Sequence, residues 1–281
     1  MPSKTQTTVG SVVSLWRYPV KSMMGEELNA AHVSQRGVLG DRVYALVDSA
    51  DGKVASAKNP RKWPSLFDFR AAYVEPPRAD ATVPPVRITL PDGTMVTSQD
   101  DDLDQIVSAA LGRQVTLKAA PPKEPSLEEY WPDIDGLDHQ DTVTDEAMPA
   151  DTFFDAAAIH LLTTATLDSL RGAYPEGRFE VRRFRPNIVL RPGHPLAGPP
   201  EGDFAEDAWM GRTIRLGQEV HITITGPCPR CVMTTLAQGD LPSDPGILRT
   251  AARQHQAHVG VYAKVLSVGA VKRGDTASLE E

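Results

Sequence analysis

The stretch TIRLGQEVHITITGPCPRCVMTTL, residues 213–236, decides the fold. It reads as two β-strands that run straight into Cys228 and Cys231, the chain's 2 cysteines, with more β-prone sequence after them. The same grammar recurs toward the N-terminus. VGSVVSLWRYPV (9–20) and GDRVYALVD (40–48) are rich in β-branched and aromatic residues. Asp51-Gly52 is a hairpin signal, and VRITLPDGTMVT (86–97) gives two short strands around a Pro-Asp-Gly turn. The meander breaks at DDDLDQIVSAALGRQV (100–115). There, leading acids, apolar Leu103, Ile106, Val107, Ala110 and Leu111 at helical spacing, and Gly112 as terminator predict a short amphipathic helix. Residues 121–150, rich in Pro and acidic side chains and without a period, are expected to form a linker or excursion.

In the second half, AAAIHLLTTATLDSLRGAY (156–174) reads as a strand turning into a helix from about Ala165 to Gly172. A threonine at that junction suits an N-cap, and the helix start leaves N–H groups that favour an anion. FEVRRFRPNIVLRPG (179–193) reads as a short helix or turn and a strand, DPGILRTAARQH (244–255) as a helix, and the C-terminal stretch from Val259 as strands. The fold class expected is mainly β with short helices, in two β-barrel-like lobes. The lobes are expected at 8–120 and 151–281.

Composition narrows the function. With 41% hydrophobic and 23% charged residues the chain is an ordinary globular protein, and a net charge of −8 argues against broad binding to nucleic acid or an anionic membrane. Neither a leader-like apolar stretch at the start nor a run of about 18 apolar residues is present, so a cytoplasmic location is expected. In a reducing compartment a structural disulfide is disfavoured. Three readings of the cysteines stay open on residues alone. Zinc with His255 and His258 has poorly matched spacing, a dithiol lacks the helix start it wants, and two buried thiols need no chemistry. Lys21 and Ser22 follow a strand, Arg42 precedes one, and Arg185 and Asn187 flank Pro186. Each is unremarkable by itself, but a protein of negative charge that binds an anion needs such a set. Trp209 and His160 are read as packing residues.

Seven segments in order, YPVKSMMGEEL, GVLGDRVYALVD, LLTTATL, FRPNIVL, FAEDAWMGRTIRLG, CPRCVMTT and VLSVGAVKRGD, resemble the MOSC family, named for the C-terminal domain of molybdenum cofactor sulfurase. The likeness extends to members with an N-terminal β-barrel domain, the architecture of the amidoxime-reducing members. The resemblance implies a molybdenum cofactor, Mo-molybdopterin, with Cys231 as the protein's metal ligand. It implies that Lys21, Ser22 and Arg42 hold the phosphate and pterin, and that Thr163, Thr164, Arg185 and Asn187 make further contacts. Lys58 stands where many members carry arginine, and Asp240 is displaced from the usual acidic position. The activity implied is two-electron reduction of N-hydroxylated compounds such as amidoximes and hydroxylamines. No ferredoxin-like cysteine cluster occurs, so electrons are expected from a separate protein. The alternative is a non-catalytic molybdopterin-binding or sulfur-carrier protein, and a pyridoxal-phosphate site has no lysine context in its favour.

Overall fold

The computed structural model describes residues 6–193 and 204–280, so the first residues read for a leader lie outside it. Its strand Val220–Pro229 shows why the chain closes a barrel. Val220, Ile222 and Ile224 are buried while His221 and Thr223 between them are half-exposed, so one pleated face is apolar and must be covered. Thr213–Leu216, with Ile214 and Leu216 inward, pairs antiparallel with it. Around the barrel the order is Ile188–Pro192, Ile159–Thr163, His258–Ser267, Val220–Pro229, Thr213–Leu216, Thr276–Glu280 and Gln6–Arg17. Pairing of Gln6–Arg17 back onto Ile188–Pro192 closes this 7-strand ring. Closure removes both open edges.

The closing strand must bend, and its register shifts between Thr8 and Gly10 and between Val12 and Ser14. At Gly10 a β-carbon would stand 2.3 Å from the Arg191 carbonyl oxygen, so only glycine fits where the two strands cross. Ile159–Thr163 and Ile188–Pro192 are the parallel pair of the ring, which requires a crossover. Helices Thr164–Ala173 and Val181–Phe184 supply it.

A second core gathers Val20, Met23, Leu46, Phe69, Ile88 and Val107, among others. Small sheets enclose it: Arg70–Tyr73 with Val86–Thr89 and Met95–Thr97, and Ala45–Asp48 with Val115–Lys118. The predicted helix is present as Leu103–Leu111, ended by Gly112 at φ 66°. The segment expected as a linker or excursion contains an antiparallel hairpin, Ser126–Trp131 with Thr142–Ala147. Its Leu127 is buried against Ala45, Val54 and Phe153. The N-terminal strand, read within the first lobe, is shared: Val12 and Leu15 belong to the barrel core, and Val20 onward to the second. No helix among the described residues is long and apolar enough to cross a membrane.

Candidate functional site

Cys231 sits where the two cores meet. The barrel strand ends at Pro229 after a register shift between Pro227 and Pro229, and Cys231 precedes a single 3-10 turn, Val232–Thr235. The Met233 side chain of that turn is buried in the second core. The chain is thus anchored on both sides of Cys231, whose side chain is left half-buried at a cavity of about 630 Å³. Lys21, Ser22, Arg42, Lys58, Arg185, Asn187 and Cys228 line the same cavity. Residues 21 and 231 are brought together by the shared N-terminal strand, which leaves the barrel and passes directly into the second core.

The backbone around this cavity is strained. Among the described residues seven non-glycines have positive φ, and five of them line it: Ser22 (62°), Arg42 (50°), Arg185 (52°), Gln256 (49°) and Ala257 (59°). Each left-handed residue costs on the order of 1–3 kcal/mol, and such strain concentrates at functional sites. Here it falls at turns and helix ends that border the cavity. Arg42 follows the tight turn at Asp41, and Arg185 ends the short helix Val181–Phe184.

Five cations crowd the cavity, and their partners differ. Lys21 donates to the Phe153 carbonyl at 2.9 Å and pairs with Asp155, Lys58 pairs with Glu129 at 2.8 Å, and Arg42 pairs with Asp41. Burial holds Lys21 below the ordinary lysine range, with Asp155 opposing that shift. Burial alone would raise the Asp155 carboxyl, but Lys21, Lys58 and Arg42 outweigh it and hold the group low. Arg185 has no carboxylate within 4 Å among the described residues. It donates Nη1 to the Met23 carbonyl at 2.7 Å, while its buried Nη2 has no partner there. Burial, then the neighbouring Arg42, bring its pKa down to about 10. Arg185 thus lines the cavity with a buried guanidinium that has no counter-anion among the described residues, a charge that an anionic ligand would offset.

The two thiols are unlike. Cys228 is fully buried, and Arg230 Nη1 donates to its sulfur at 2.8 Å. Burial works against ionisation there, but Arg230, then His160 and Tyr262, bring the thiol down to about 6. Gly260 makes room for His160, because a β-carbon at that position would meet the His160 Nε2 at 2.4 Å. Burial and the nearby Glu129 push Cys231 up to about 11, against Lys58 and Arg230. Cys231 is the sulfur with space in front of it, and a metal cation there would deprotonate it.

Thr163 and Thr164, also anticipated as cofactor contacts, are not brought to the cavity. Thr163 is fully buried and caps the helix Thr164–Ala173, accepting from the Thr166 N–H at 3.2 Å. The place near this helix start is taken by a side chain of the protein itself: the Glu206 carboxyl accepts from the hydroxyls of Thr163 at 2.6 Å and Thr166 at 2.7 Å. Asn187 borders the cavity, but its amide ties strands, accepting from the His160 N–H at 3.1 Å and donating to the Trp16 carbonyl at 3.4 Å. Trp209 is buried in the barrel as read, whereas His160 lies beside Cys228 rather than serving packing alone. His255 bonds Asp207 at 2.6 Å and the His258 carbonyl at 2.9 Å, which uses both ring nitrogens away from the thiols. Asp155, Glu129, Trp131, Arg230 and Tyr262 also line the cavity and were missed. Only Arg230, between the cysteines, had a signal in the sequence.

Two family models match consecutive parts of the chain: residues 149–278 match the MOSC domain and residues 9–121 the MOSC N-terminal beta barrel domain. This is a MOSC-domain protein. The MOSC-domain protein is 26% identical over 247 residues to mitochondrial amidoxime-reducing component 1 of Mus musculus, covering 81% of this chain and 66% of that one. It is also 26% identical over 250 residues to the Homo sapiens protein of the same name, with the same 81% and 66% coverage. The match therefore spans just under two thirds of those relatives' length. Among solved structures, the YUAD protein from Bacillus subtilis aligns over 99% of both chains with a TM-score of 0.48 and 12% identity.

Proposed function

We propose that this MOSC-domain protein is a molybdenum cofactor-dependent oxidoreductase that reduces N-hydroxylated compounds, amidoximes and hydroxylamines, with electrons from a separate donor protein. One observation carries the reading: the half-buried Cys231 faces the same cavity as Arg185, whose buried Nη2 lacks a partner among the described residues. The relatives named amidoxime-reducing component add the substrate class.

The residues fit the group. A soft thiolate suits molybdenum, and Lys21, Arg42, Lys58 and Arg185 suit an anionic tail, Arg185 foremost because Lys21, Lys58 and Arg42 already have carboxylate partners. Ser22 contributes little to that grip in this arrangement, since its hydroxyl accepts from the Ala57 N–H at 3.1 Å and shapes the turn. Bound there, the molybdenum cofactor would supply the two-electron chemistry that removes oxygen from nitrogen. The chain's own part is to fix Cys231 between two cores, exclude water with Phe154 and Met233, and hold positive charge around the anion. Arg230 keeps Cys228 in place behind it and leaves one sulfur to act as ligand. Lysine at 58 neutralises charge without arginine's two-pronged geometry, and its pairing with Glu129 fixes where its ammonium points.

The test is metal and pterin analysis of protein from a molybdate-replete host, followed by reductant-driven turnover of benzamidoxime. Molybdenum with turnover supports the reductase. Molybdenum without turnover of any N-hydroxylated compound leaves a carrier, and a protein that holds no molybdenum overturns the reading.

A further inference from the structure

The hairpin Ser126–Trp131/Thr142–Ala147 gives the cavity a wall of different character. Its register sets Glu129 opposite Thr144 and Trp131 opposite Thr142, and side chains two apart share a face. That places Glu129, Trp131, Thr144 and Glu146 together, and Glu129, Trp131 and Glu146 line the cavity. A polar chain fixes them: the Trp131 Nε1 donates to the Thr144 hydroxyl at 2.8 Å, which donates to Glu146 Oε1 at 2.6 Å. His139 packs edge-on against the Trp131 ring at 5.1 Å. Glu129 and Asp155 are consumed by Lys58 and Lys21, but Glu146 has no cationic partner within 4 Å among the described residues. A cavity whose cations suit an anion thus also presents an oriented, unpaired carboxylate beside an indole.

We propose that this hairpin face is the subsite for the amidine end of the substrate, with Trp131 packing on the planar N–C–N group and Glu146 pairing with its positive charge. The assignment rests on the reductase reading above. In amidoxime reduction the substrate takes two electrons from the donor protein and three protons, the N–O bond breaks, water leaves, and the product is an amidinium cation. The amidoxime itself is neutral at neutral pH. A fixed carboxylate therefore interacts more strongly with the group as its oxygen departs than before, and that difference lowers the barrier. An indole face likewise favours the cation over the neutral group. Thr144 is a positioning residue, holding both partners through its single hydroxyl.

The test is equilibrium binding of benzamidine and of its neutral isostere benzamide to the purified full chain by calorimetry. Benzamidine is expected to bind at least tenfold tighter than benzamide. Glu146→Gln should weaken benzamidine roughly tenfold and leave benzamide unchanged. Thr144→Val, which keeps the charge but frees it, should give a smaller loss confined to benzamidine. Equal affinity for the two compounds, or a benzamidine affinity indifferent to Glu146→Gln, overturns the subsite. The measurement needs no turnover, so a protein that binds benzamidine through Glu146 yet reduces no amidoxime keeps the subsite and fails only the reductase reading.

Discussion

The Arg185 guanidinium sits over the Tyr18 ring, 4.2 Å from the ring centroid, and Arg42 lies 4.9 Å from the same centroid. Tyr18 is itself locked, its N–H donating to Asp41 at 2.7 Å and its hydroxyl to the Pro186 carbonyl at 3.2 Å. One buried aromatic therefore holds two cations, the buried Arg185 and the half-buried Arg42, and Asp41 pairs with only one of them, Arg42. Keeping a desolvated guanidinium without a counterion costs several kcal/mol, and an anionic ligand relieves that cost.

Arg185→Lys tests this directly. A lysine keeps the charge but loses the ring contact and the fork that reaches both the Met23 carbonyl and the cavity. Pterin and molybdenum retained after desalting should fall several-fold, with some loss of thermal stability, because the buried charge remains while the Tyr18 contact and the Met23 bond are weakened. Unchanged retention would place the anion elsewhere in the cavity.

Cys231→Ser and Cys228→Ser should differ in kind. Cys231→Ser removes the sulfur that faces open space, so molybdenum content and turnover should be lost with the melting temperature near that of the wild type. Cys228→Ser leaves Arg230 with a harder, more weakly acidic partner in a fully buried place. It should cost roughly 1–3 kcal/mol of stability and spare most of the metal. Metal analysis and thermal melts on both variants separate the roles, and equal metal loss would indicate a C-x-x-C unit instead.

Thr163→Ala should leave cofactor content intact, since this hydroxyl serves the helix cap and Glu206. Loss of an N-cap costs about 1 kcal/mol, and removing a donor from a buried carboxylate adds to it. A drop in molybdenum retention at unchanged stability would return Thr163 to the site.

Which features the sequence disclosed follows from how local each signal is. Strands such as Val220–Pro229 carry their burial in their own alternation, and the helix Leu103–Leu111 in its spacing and its Gly112. Lys21, Arg42 and Arg185 stand out because basic residues follow or precede strands at turns. Non-local facts were hidden. Closure of the barrel by Gln6–Arg17 depends on pairing with residues about 180 positions away. The hairpin strand Thr142–Ala147 was masked because it alternates half-buried with exposed residues, most of them polar or acidic, and never buries an apolar face. Thr163 lies off the cavity for a similar reason: the capping motif was visible, but the Glu206 carboxyl that its hydroxyl meets, 43 positions on, was not.

Glu206 also sets a pH dependence. It is buried with Oε2 bonded to two threonines and Oε1 without a partner among the described residues. Burial pushes its carboxyl above the ordinary range, with the threonine bonds opposing but not cancelling the shift. The folded state therefore binds this proton more tightly than the unfolded chain. Its contribution to stability is full below the unfolded value and is lost as pH rises through the folded one. Glu206→Gln, which mimics the neutral acid, should melt at nearly the same temperature as the wild type near pH 4. The variant should become progressively more stable than the wild type toward pH 8, by a few °C on the order of 1 kcal/mol. Thermal melts across that range check the sign: a wild type that gains on the variant as pH rises would show that the carboxylate, not the acid, is the form this pocket holds.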